Sequence, residues 1–174
     1  VLEVIQTKNS LAKIQKITIE FHHELNDVNF QFIGVDPGTV NYGLTVLDVP
    51  TAKYIVYQAS IYQIKFNERK KNPLDRVHSL YSVLEEIEIS KYPKSVIIEG
   101  ASYGDKYRQA ELAEIRMGTA LWFDAKGSVC HVVSPNSIRS HVFGSAKIKA
   151  HEYWKELEKY PDAAASLSCA LCPV

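Results

Sequence analysis

Three carboxylates in this chain stand where they could act together. Asp36 closes the apolar run of "FIGVDPGTVNYGLTVLD" and is followed at once by Pro37 and Gly38, residues that turn a chain. Glu99 ends the run Val96, Ile97, Ile98, too apolar to lie on the surface, so its carboxylate is expected to be partly buried and to need a cation or hydrogen-bond donors beside it. Asp162 follows Pro161 in "YPDAAASLSCAL", at a helix start. Each has a plainer role. Asp36 suits a turn, Glu99 suits a loop cap, and an acid in a first helical turn gains roughly 0.3–1 kcal/mol from the helix dipole. Together they suit hard, oxygen-seeking Mg²⁺, which keeps several waters and bridges to phosphate. Two such ions about 4 Å apart can activate an attacking water and stabilise a departing 3′-oxygen. The chemistry implied is phosphodiester hydrolysis.

The elements that must position these acids follow from periodicity. Leu11, Ile14, Ile17, Phe21 and Leu25, spaced by three and four behind Ser10 as N-cap, predict an amphipathic helix in a segment 1–29 appended to a domain at 30–174; "KITIEF" could also alternate as a strand. Phe30 to Val35, Tyr42 to Val49 and Lys53 to Tyr62, separated by Pro, Gly, Asn and Asp, predict a three-stranded antiparallel meander. A helix opens at Pro73 and ends near Tyr92-Pro93, "SVIIEG" is a fourth strand, Tyr107 to Lys126 a helix, and "VCHVVSP" a fifth strand. A short helix from Asn136, a longer one around Lys149 to Tyr160 and a last one from Pro161 complete the chain. Ala163, Ala164 and Ala165 would let that last helix approach the sheet closely and bring Asp162 to the strand ends. The expected fold is α/β, a mixed five-stranded sheet of three antiparallel then two parallel strands, with helices on both faces.

With 174 residues, 46% of them hydrophobic, the chain can bury one real core. It has no run of about 18 uninterrupted apolar residues and so no membrane-spanning helix, and no charged-then-apolar leader; the start at Val1 implies trimming. Cys130, Cys169 and Cys172 form no disulfide framework, which points to a reducing compartment such as the cytoplasm. The single C-x-x-C at Cys169 and Cys172 lacks the further ligands zinc needs and is expected to face the core. The formal net charge is zero, which argues mildly against nucleic acid, yet Lys65 to Arg76 and Ile138 to Lys149 are locally basic. Taken alone, a solvated loop and a solvated helix start explain both.

"IGVDPGTVNYGLTVLD", "SVIIEGASYGDKYRQAELAEIRMGTAL", "VVSPNSIRSHVFGSAKIKA" and "PDAAASLSCAL" resemble, in that order, the motifs of RuvC-type Holliday junction resolvases of the RNase H-like (retroviral integrase) superfamily. The resemblance spans about Phe32 to Leu171. It implies an RNase H-like fold and a homodimer, formed through the helix from Tyr107 to Lys126, that nicks two opposed strands of a four-way DNA junction. It implies Mg²⁺, with Mn²⁺ as a substitute, held by Asp36, Glu99 and Asp162. Lys149 matches the catalytic-site lysine, with Lys147 second, and Arg139 lies in the same basic stretch facing DNA. Tyr103 sits where the family places an aromatic that stacks on junction bases.

One departure matters. The family's last helix carries a second acid three residues after the first, on the same face, and here that position is Ala165. The protein then works with three acids, or only binds junctions, or carries an engineered substitution made to trap a complex, the reading favoured here, which leaves it inactive as given. The connection from Lys149 to Asp162 is also shorter than the family's, which implies missing residues. Two rival readings remain from the first motif, the small YqgF-type nucleases and the actin and heat-shock-chaperone ATPases; the latter need a second domain and a second Gly-rich phosphate motif that this chain lacks.

Overall fold

β-Branched and aromatic runs bounded by turn residues build a sheet, and this chain has more of them than its helical-looking start implies. The computed structural model describes residues 2–8, 11–20, 30–49, 58–68, 70–87, 89, 95–101 and 108–172. Its strands are β1 (Leu2–Lys8), β2 (Ala12–Glu20), β3 (Phe30–Asp36), β4 (Asn41–Val49), β5 (Gln58–Phe66), β6 (Ser95–Glu99) and β7 (Val129–Val133). Its helices are α1 (Pro73–Glu85), α2 (Gln109–Asp124), α3 (Pro135–Phe143), α4 (Ala150–Tyr153) and α5 (Pro161–Ala170), with a 3₁₀ turn at Lys155–Leu157. The sheet order is β1-β2-β5-β4-β3-β6-β7. β1 to β5 pair antiparallel, and β6 runs parallel to both β3 and β7.

Among the described residues the sheet therefore has seven strands rather than five, because Leu2–Lys8 and Ala12–Glu20 pair as antiparallel strands where a helix was expected; Phe21 and Leu25 of the expected helical stripe lie outside the described residues. Ala12 and Ile14 of β2 pack on one face of the sheet and Ile17 on the other. A strand buried on both faces places apolar residues at odd spacings, which imitate the three-and-four spacing of a helix. Its full pairing with β5 makes this segment part of the sheet rather than an appendage. Ser10, read as a helix cap, lies outside the described residues.

Three other boundaries moved. The third meander strand runs Gln58–Phe66, so Lys65 belongs to β5 and not to a loop. α1 opens at Pro73 as expected, with Asn72 Oδ1 accepting from Leu74 N at 2.9 Å, but ends at Glu85. The long helix expected at Lys149 to Tyr160 is broken at Trp154 (φ −88°, ψ 76°), whose ring Nε1 donates to Ser168 Oγ at 3.0 Å, and Leu157 then drops into the core. Arg76, part of a supposedly solvated basic stretch, is buried, paired with Glu114 and donating to the carbonyls of Lys70 and Lys71. No described helix is long and apolar enough to cross a membrane.

Helices cover both faces. α1 and α2 set Leu80, Leu84, Ile115 and Phe123 on the face that presents Val35, Leu44 and Ile98. α5 sets Ala163, Ala164 and Leu167 on the face that presents Leu47 and Ile61. Cys169 and Cys172 face the core as expected, beside Ile97 and Ile138 of α3.

α5 can lie this close because two strand positions have no side chain. A Cβ on Gly34 would come within 2.0 Å of the Ser166 carbonyl oxygen and 2.3 Å of Ala170 N. One on Gly43 would come within 2.0 Å of the Asp162 carbonyl oxygen. These obstacles are backbone and cannot rotate away. Gly34→Ala is therefore expected to lower the unfolding free energy by about 2–3 kcal/mol or more, measured by urea titration. Gly118→Ala in α2, whose Cβ would meet side-chain methyls, those of Val77 at 3.3 and 3.4 Å and one of Leu80 at 3.7 Å, is expected to change it by less than about 1 kcal/mol, since alanine also favours helix.

Candidate active site

β3 and β6 are parallel neighbours whose last register pair is Val35 with Ile98, so Asp36 and Glu99 are the next residue of each strand. Val35 and Ile98 face α1 and α2; strand alternation then turns Asp36 and Glu99 to the α5 face. Gly43 is the cross-strand partner of Asp36, and the first turn of α5 rests on it at Asp162. Asp162 is clamped there by Gln63 of β5. Gln63 Nε2 donates to Asp162 Oδ2 at 2.6 Å, and Gln63 Oε1 accepts from Ala163 N at 3.0 Å. The small-residue helix thus brings its acid to the strand ends.

The three acids share one field. Withdrawal from water, then the charge of Glu99, then that of Asp162, push the Asp36 carboxyl well above the ordinary range, and Arg139 opposes them. Glu99 is raised first by its loss of water; Arg139 pulls against this and Asp162 adds to it. Burial, then Glu99 and Asp36, also push up the Cys169 thiol. Excess negative potential of this kind is what a hard cation relieves, and carboxylate oxygens are the donors it takes. The donor chemistry therefore fits a divalent ion. Among the described residues, no group of three or more His, Cys, Asp or Glu side chains forms a ready metal site.

The basic residues fall out differently from the expectation. The positive group acting on Asp36 and Glu99 is Arg139 of α3, not Lys149. Lys149 heads α4 with its side chain 62% exposed and its Nζ 3.7 Å from Glu152 Oε1. Lys147 is exposed, its backbone N–H donating to Ser145 Oγ at 3.3 Å. Ala165 lies one turn beyond Asp162 in α5 and is half-buried. Tyr103 lies outside the described residues.

Gln63 was missed. Its signal is weak: it continues the α5-facing series of β5 after Ala59 and Ile61, a polar side chain at an inward position. Another missed pair is Thr45 and Ser166, whose buried hydroxyls meet at 2.8 Å and set the height of α5 on β4.

No family model matches the sequence, and no curated protein matches it. Solved structures do. The structure of Thermus thermophilus RuvC superposes with a TM-score of 0.64 at 16% identity, covering 82% of this chain and 92% of that chain. T. thermophilus RuvC in complex with a Holliday junction substrate gives 0.61 at 17% identity, covering 83% and 92%. The mixed sheet with helices on both faces is thus an RNase H-like fold related to that of RuvC.

Proposed function

We propose that this chain is a structure-selective DNA endonuclease that resolves four-way junctions by paired hydrolysis of phosphodiester bonds. The observation that carries the reading is the shared field of Asp36, Glu99 and Asp162 at adjacent strand ends of an RNase H-like sheet. On this reading those three acids would hold Mg²⁺, or Mn²⁺ in its place. When bound, the ion supplies the charge that activates water and stabilises the departing 3′-oxygen. Gln63 fixes Asp162 while leaving its charge intact. Arg139, whose charge acts on Asp36 and Glu99, would serve the scissile phosphate, with Lys147 and Lys149 beside it and Tyr103 stacking on an unpaired base. A homodimer accounts for paired cuts. The α2 surface supports it, since Met117 and Leu121, one helical turn apart, are 62% and 55% exposed.

A second reading, a junction-binding module without catalysis, is favoured by Ala165, which stands where the family's last helix carries its second acid. One assay separates the two: cleavage of a labelled four-way junction against plain duplex, with Mg²⁺ or EDTA, for the chain as given and for Ala165→Asp. The nuclease reading expects metal-dependent cutting of the junction by the Asp form at least, abolished by EDTA. Asp36→Asn is expected to cost that activity more than about 100-fold, since even changes one layer outside a metal's ligands cost about 10–100-fold. Junction binding with no cutting by either form would make the chain a binding module.

The acids also leave a pH signature on stability. Raised folded-state pKa values mean that the native chain binds more protons than the unfolded one between the ordinary carboxylate range, about 4, and the raised values. Stability in that window falls as pH rises, and the repulsion is fully present only above the raised values. Asp36→Asn is expected to raise Tm at neutral pH by about 2–6 °C, or roughly 0.5–2 kcal/mol, and to flatten this part of the profile. Calorimetry from mildly acidic to neutral pH checks it.

A further inference from the structure

Beyond the acids, a groove of about 330 Å³ runs from Asp162 toward the β1–β2 hairpin. Its floor is a row of directly paired positions that crosses the sheet: Gln6 with Gln15, Gln15 with Gln63, Gln63 with Gly43, and Gly43 with Asp36. Directly paired residues share a face, so this row leads from the candidate catalytic acid to the hairpin edge. One rung away, Lys13 of β2 stands directly opposite Lys65 of β5, and Lys159 closes the groove from the segment before α5.

Two observations point to an anion in this groove. Like charges directly opposite on one sheet face destabilise a strand pair, yet Lys13 and Lys65 occupy such a pair, and among the described residues neither they nor Lys159 is in an ion pair. The acid lining the groove, Asp162, sits at its inner end, held by Gln63. The groove also carries more than charge. The amides of Gln6 and Gln15 offer donors and acceptors along its floor, and the half-buried Tyr160 forms part of its wall. A polyanion with hydrogen-bonding groups between its charges matches this lining better than a small anion does.

We infer that the groove between the β1–β2 hairpin and residues 159–162 holds one strand of nucleic acid, its phosphates on Lys13, Lys65 and Lys159 and its sugar and base groups along Gln6 and Gln15. The inference rests on reading the acids as a phosphodiester site, because the groove ends there. The hairpin is then a strand guide that leads the substrate to or from the cut.

The test is the salt dependence of binding. Fluorescence anisotropy in EDTA measures affinity for a labelled four-way junction and a labelled single strand, from about 50 to about 300 mM salt, where each phosphate neutralised contributes roughly 0.7–0.9 to the log–log slope. Two variants accompany the unaltered chain: Lys13→Gln/Lys65→Gln/Lys159→Gln together, and Lys71→Gln, an exposed lysine outside the groove lining. The groove predicts a slope lower by about two in the triple variant, with affinity reduced at least about 10-fold at low salt, and no change in Lys71→Gln. It also predicts that millimolar inorganic phosphate fails to displace the oligonucleotide. An unaltered slope in the triple variant, or displacement by phosphate alone, overturns the groove and leaves the junction reading standing. A lowered slope in a protein that cuts no junction, as given or as Ala165→Asp, supports the groove and removes the nuclease reading. A chain that binds no nucleic acid removes both.

Discussion

The contact of the α5 backbone with Gly34 and Gly43 is the constraint on which the site depends. A helix laid on a sheet with ordinary side chains between them stands off by the thickness of those side chains, whereas here carbonyl and amide groups of α5 occupy the places of two missing Cβ atoms. The facing residues are small to match: Ala163, Ala164, Ser166 and Ala170. Position along the sheet is set by polar groups. Ser166 Oγ meets Thr45 Oγ1 at 2.8 Å and also bonds the Ala163 carbonyl at 2.9 Å, and Ser168 accepts Trp154 Nε1 while bonding the Ala164 carbonyl. Because an unpaired buried hydroxyl is costly, these bonds favour one position of the helix over its neighbours. Asp162 inherits that precision.

Collecting acids at one end of the sheet works against folding. Asp36 and Glu99 lose water and repel each other, and Arg139 offsets only part of the effect, so both remain shifted upward. Perturbed carboxylates of this kind cluster at functional sites, where the potential that works against folding favours a positively charged ligand. Ala165 bears on this balance. A fourth carboxylate one turn along α5 would raise the local charge again, so an alanine there relieves repulsion at the cost of a possible ligand.

The sequence was informative where structure is local. The strand-end positions of Asp36 and Glu99 could be read because an acid closing an apolar strand stands out, and the close approach of α5 because consecutive alanines are hard to explain otherwise. It failed where meaning comes from partners far along the chain. β2 buries Ile14 on one face and Ile17 on the other, so its spacing imitates a helix until β5 is seen beside it. Gln63 acts on an acid 99 residues away. Lys149 matched a motif by position, but the helix expected to follow it breaks at Trp154, and the field at the acids comes from Arg139 instead. Arg76 illustrates the reverse case, a basic residue read as solvated that helix packing buried between α1 and α2.

The choice of an amide to hold Asp162 has a physical logic. A lysine or arginine at position 63 would fix the carboxylate equally well, but it would cancel the charge that makes the acid useful. A glutamine donates through Nε2 and accepts from Ala163 through Oε1, so its own polar atoms are satisfied and it adds no charge of its own. The carboxylate's torsional freedom is already lost on folding, so a ligand bound there would not have to remove it. The same neutrality matters on the other side of Gln63, where Gln15 continues the row. A neutral span separates the negative strand ends from the lysines of the groove. Opposite potentials can therefore sit on one sheet face without collapsing into salt bridges, which is the arrangement that the proposed path of a phosphate chain from the groove to the acids requires.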